Sequence, residues 1–158
     1  MILKREQMDA IKPAINSVRF ICLALIGGVT IAAIILSAIT DWQQINTDFD
    51  PLAIFGLAIG FSCLASAFTI PNILFAGSSG IEDKDTDDVK LKKLSGVFQT
   101  KTIVRYAMLE GAAFLNLVLF FVSHNILLLG FVALALAAMV VAFPKIDSVY
   151  ACFGEQLS

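Results

Sequence analysis

Glu110 is the only acidic residue set deep inside an apolar stretch long enough to cross a bilayer, in the segment Arg105-Tyr106-Ala107-Met108-Leu109-Glu110-Gly111-Ala112-Ala113. A carboxylate at that depth costs on the order of 3 kcal/mol on insertion scales, so such groups pair with protein or line a functional path. At helical periodicity Gln99, Thr102, Tyr106 and Ala113 share a face with it, at offsets of −11, −8, −4 and +3. That polar seam runs from the start of the stretch toward its middle, and Tyr106, one turn below, is the expected donor to the carboxyl. Arg105 lies about 140° around the same helix, a poor position for an ion pair with Glu110. Two chemistries fit. In one, the carboxyl binds and releases H+ or Na+ along the seam. In the other it is a neutral acid hydrogen-bonded to another helix, with Ser62 and Ser66 as candidate contacts, and serves as structural glue.

The elements that must position these groups follow from composition. With 58% hydrophobic and 15% charged residues in 158, the chain is too apolar for an ordinary soluble domain. Four apolar stretches, 18–40, 52–76, 102–123 and 126–143, each come near the roughly 20 residues that span about 30 Å of hydrocarbon. The expected fold is all-α, a polytopic membrane protein with a four-transmembrane-helix bundle as its single domain. Residues 1–17, with Ile2, Leu3, Met8, Ile11 and Ile15 among charges, are expected as an interfacial segment broken at Pro13. Residues 77–101 are expected as a cytoplasmic loop with an amphipathic lead-in, carried by Val89, Leu91, Leu94, Val97 and Phe98 and interrupted at Gly96. Residues 144–158 are expected as a cytoplasmic tail hugging the membrane surface after Pro144. The first stretch is too long for the apolar core of a cleaved signal peptide, and no small-x-small site follows it.

Charge orients the bundle. All 11 basic residues precede stretch 1 or fall at its start, lie between stretch 2 and the start of stretch 3, or follow stretch 4. The 41–51 connection has three acids and no base, and the turn Ser123-His124-Asn125 has neither. By the positive-inside rule both termini and the 77–101 loop are cytoplasmic, with Trp42 and Phe49 in the outer aromatic belt. A bacterial inner membrane is the expected location, with the lipid bilayer as first partner.

Within a bilayer, small residues mark helix contacts. Gly56 and Gly60 form a GxxxG pair in a stripe with Ala53, Cys63 and Ala67, and Ala107 and Gly111 offer a smaller face on stretch 3. Packing inside the chain is the first expectation for these residues and an oligomer interface the second. Pro71 should kink stretch 2 and free carbonyls that Thr69 or Asn72 can satisfy.

Several function classes have no support. No intramembrane Ser/His, Asp/Asp or Cys/His set exists, since the one histidine, His124, sits at the outer turn, so an enzyme is not expected. Cys22, Cys63 and Cys152 lack disulfide or metal spacing, and no metal or cofactor is expected. Asp83, Asp85 and Asp87 have the spacing of a calcium loop, but Asp88 and Leu94 stand where that loop needs glycine and a carboxylate. A net charge of −2, with bases tracking the membrane surface, gives no footprint for nucleic acid.

Gln99-Thr100, followed by Ala107 and then Glu110, resembles the ion-binding outer helix of the rotary ATP synthase proteolipid (c) subunit. That resemblance implies a Glu110 that exchanges H+ or Na+. It covers roughly twenty residues of stretch 3; stretch 2 lacks the family's dense glycine repeat, the following loop is longer, and stretches 1 and 4 have no counterpart in its two-helix form. Taken whole, the chain is similar to small four-helix bacterial integral membrane proteins. The expected role is therefore a non-enzymatic structural or accessory subunit, self-assembling as a homo-oligomer or packed within a larger membrane complex. An H+ or Na+ transporter or channel using Glu110 is the alternative.

Overall fold

A computed structural model describes residues 5–74 and 86–145 of the chain, with side chains described for 11–73, 86 and 89–145. Among the described residues there are four α-helices, α1 (Arg5–Ile39), α2 (Pro51–Leu74), α3 (Asp87–Ser123) and α4 (Ile126–Val141), and no strand. The first three are long and apolar enough to cross a membrane. At 16 residues α4 is about 24 Å long, shorter than the hydrocarbon layer.

Two helices run further than the sequence suggests. Pro13 does not break the first segment, because α1 continues through it from Arg5. The proline ring is exposed, while Ile11, Ile15 and Val18 are buried at 3%, 1% and 1% exposure, so one lost backbone bond on the solvent side is outweighed by burial on both sides of it. Residues 5–17 are thus an extension of α1, packed inward through Ile11 and Ile15, while Ile2 and Leu3 lie outside the described residues. Gly96 likewise does not interrupt the lead-in: α3 is one helix of 37 residues, and Leu91 and Leu94 are buried near its start. A single glycine costs only about 1 kcal/mol, less than its buried neighbours return. The acidic run before residue 86 and the tail after residue 145 lie outside the described residues.

α3 packs against each of the other helices and forms the axis of the bundle. It runs parallel to α1, so that Val18 and Cys22 cluster with Tyr106 and Leu109, and Val29 with Ala112, Ala113 and Leu117. It runs antiparallel to α2 and α4, pairing Phe120 with Ala53 and Leu128 at one end, and Tyr106 with Ala67 and Met139 at the other. The outward surface is apolar, with Phe20, Ile34, Ile73 and Val141 at 74%, 63%, 74% and 83% exposure. An apolar exterior of this extent is what a hydrocarbon solvent requires.

The end of the bundle away from the basic residues is closed by hydrogen bonds between its two connections. Asn46 donates its N–H to the His124 carbonyl (3.1 Å) and accepts from the Ile126 N–H (3.2 Å), while its side-chain amide donates to the Ser123 carbonyl (3.1 Å). Asn125 caps α4 by accepting from the Leu127 N–H at 3.0 Å, and its amide donates to the Asp48 carbonyl. Asp50 caps α2 through the Ala53 N–H. Irregular backbone near the bilayer is thereby satisfied internally.

Candidate functional site

α3 carries every group in the predicted seam, and its neighbours decide what each one does. Tyr106 is fully buried, and its hydroxyl donates to the Met139 carbonyl near the end of α4 rather than to Glu110. The cause lies at the α4 terminus. The Phe143 N–H, which would ordinarily take the Met139 carbonyl, bonds Val140 instead, so Met139 needs an outside donor. Tyr106 supplies it, with Cys22 packed alongside. The expected Tyr106–Glu110 pair is therefore replaced by a Tyr106–Met139 pair.

Arg105 does something similar for α2. Pro71 has no N–H, which leaves the carbonyl four residues earlier, at Ala67, without its helical donor. Arg105 Nε donates to that carbonyl at 3.3 Å, and its guanidinium lies 5.2 Å from the centre of the Phe68 ring. Thr69 and Asn72, expected to serve the kink, bond Ala65 and Phe68 instead. Consecutive residues of α3 thus complete the backbone bonding of its two antiparallel neighbours.

Of the remaining seam residues, Thr102 is buried and Gln99 half-buried, and Thr100 bonds back to the Gly96 carbonyl at 3.0 Å. Glu110 is half-buried and stands at the rim between α1 and α3, where a Cβ built on Gly28 would lie 3.9 Å from its Oε1. Among the described residues none, Ser62 and Ser66 included, makes a hydrogen bond or ion pair with this carboxyl. On either side of it Ala107, Gly111 and Phe114 are exposed, and a Cβ on Gly111 would meet nothing within 4 Å. The Ala107 and Gly111 face predicted to pack within the chain is turned outward.

Gly56 and Gly60 sit at the opposite contact of α3. A Cβ on Gly56 would come within 2.7 Å of Leu119 and Leu128, and one on Gly60 within 2.7 Å of Phe131 and 2.8 Å of the Asn116 amide. Asn116 is fully buried there; its Nδ2 donates to the Ala112 carbonyl at 2.9 Å while its Oδ1 finds no partner. Sequence reasoning passed over Asn116, although an amide inside Leu-Asn-Leu-Val-Leu-Phe was the available signal. Among the described residues no three His, Cys, Asp or Glu side chains are grouped to hold a metal ion.

No family model, curated protein or solved structure matches the chain.

Proposed function

We propose that this protein is a non-enzymatic accessory or structural subunit of a bacterial inner membrane, crossing it four times with both termini cytoplasmic. Its three sealed faces of α3 hold the bundle together, and the α1–α3 rim around Glu110 is the surface by which it packs against another transmembrane segment. The observation that carries this reading is the carboxyl itself, which is half-buried, unpartnered among the described residues and flanked by exposed Ala107 and Gly111. An isolated acid in an apolar span is costly, and small residues beside it let another helix come close enough to shield it.

Ion handling would need a polar path from the cytoplasmic end to Glu110. The seam is a weak candidate for one, since Tyr106 is buried and its hydroxyl is engaged by α4. α4 is short, but with Ala142 and Phe143 continuing its apolar run and Pro144 ending it, a modest local thinning of the bilayer lets it cross.

Photo-crosslinking in native membranes tests the packing role. A photoreactive side chain at position 107 or 111 should give a discrete protein adduct, and one at Val140, on the exposed side of α4, only lipid adducts. Lipid adducts alone at all three positions would contradict the proposal.

A further inference from the structure

The chemistry of what meets Glu110 follows from where the bases of this chain lie, and it rests on the packing role just proposed. Among the described residues every base lies toward one end of the helices, the deepest being Arg105, five residues before Glu110. Arg105 cannot turn to this rim without abandoning the Ala67 carbonyl and the Phe68 ring on the other side of α3. Arg19 is drawn to Phe143, with its guanidinium 5.4 Å from the ring centre. Glu110 itself lies thirteen residues before the end of α3 at Ser123, about 20 Å along the axis and near the middle of the layer. The described residues of a second copy inserted in the same orientation would bring another carboxyl, the Ser62 and Ser66 hydroxyls and apolar groups to that depth, and no cation.

We infer that the occupant of the Glu110 face is a transmembrane helix of a different protein carrying one Arg or Lys at mid-membrane depth. Its cation pairs with the carboxylate over Gly28, and its backbone lies against Gly111 and Ala107. Each charge removes the reason the other is costly in hydrocarbon, so the two helices are selected as a pair and an uncharged helix of the same shape is rejected. The approach requires small residues here: a Cβ on Gly111 meets nothing within 4 Å and one on Gly28 meets the Glu110 Oε1 at 3.9 Å, so a larger side chain at either would hold the cation off.

The test uses the full chain, fluorescently labelled, in phosphatidylcholine vesicles with acceptor-labelled polyleucine helices whose central residue is Arg, Lys, Glu or Leu. The Arg and Lys helices should associate about tenfold more tightly than the Leu helix, and Glu110→Gln should erase most of that preference. Gly28→Leu should also erase it while circular dichroism shows unchanged helicity. Equal transfer to the Arg and Leu helices overturns the inference. So does energy transfer between copies of the chain that Glu110→Gln abolishes without any preference for Arg, an outcome that would leave the packing role standing with a second copy as occupant. Absence of association with every helix, with itself and with any protein in native membranes would remove both.

Discussion

Arg105 donates from Nε to the carbonyl of Ala67, at 3.3 Å, and that carbonyl is the one Pro71 leaves without an N–H. A basic residue and a proline on different helices are thus complementary halves of one backbone hydrogen bond. Inside an apolar layer an unpaired carbonyl has no water to turn to, which gives the pair more weight than an exposed arginine contact would have. Arg105→Leu should destabilise the bundle by roughly 1–2 kcal/mol. In a Pro71→Ala background, where the backbone N–H is restored, the same substitution should cost less than about 0.5 kcal/mol. Unfolding in mixed micelles for all four proteins of the cycle measures the coupling, and additivity of the two changes would refute the pairing.

Tyr106→Phe should lower stability by roughly 1 kcal/mol through loss of the bond to Met139, and should fray the end of α4. Because the hydroxyl does not reach Glu110, the reactivity of that carboxyl toward dicyclohexylcarbodiimide should be the same in Tyr106→Phe as in the wild type. A changed reactivity would restore the intrahelical pair that the sequence suggests.

The glycines divide by what surrounds them. At Gly60 a Cβ meets the Phe131 ring and the Asn116 amide, both held by their own packing, so Gly60→Ala should cost roughly 1–3 kcal/mol. At Gly56 the closest obstacles are the ends of Leu119 and Leu128, which can shift, and the Asn116 Oδ1 is farther off at 3.1 Å, so the penalty should be smaller. Gly96→Ala, in open space on α3, should stabilise by up to about 1 kcal/mol. Thermal denaturation in one detergent ranks the three, and any other order contradicts the packing described.

Much of this architecture was legible in the sequence, and the reason is physical. Hydropathy and length are local properties, so the four apolar helices could be read directly. What could not be read was how far α1 and α3 extend, because the penalties of Pro13 and Gly96 are local while the burial of Ile11, Ile15, Leu91 and Leu94 that outweighs them is tertiary. The partners of Arg105 and Tyr106 were hidden for a similar reason. Each serves a carbonyl made needy by a proline or a helix end on another chain segment, and which segments meet is not encoded in the spacing along α3. Glu110 stood out because an acid in hydrocarbon is rare. Asn116 did not, since an amide in such a run is less conspicuous and its role depends on Gly56 and Gly60 across the interface.

His124 adopts a left-handed conformation, φ 53°, as it ends α3 and donates its N–H to the Phe120 carbonyl. Glycine takes that conformation without strain, so His124→Gly should be neutral or stabilising by up to about 1 kcal/mol, while His124→Val should be destabilising. Melting temperatures of the two variants check the sign. A loss of stability in His124→Gly comparable to that of His124→Val would mean that the imidazole itself holds the turn.

The central claim is that Glu110 is a packing group on an outward face and not an ion carrier. Purified protein in sealed vesicles, with an imposed pH or Na+ gradient and a membrane potential, tests it most directly. Flux indistinguishable from that of empty vesicles is predicted for both the wild type and Glu110→Gln. H+ or Na+ movement by the wild type that Glu110→Gln abolishes would contradict the account.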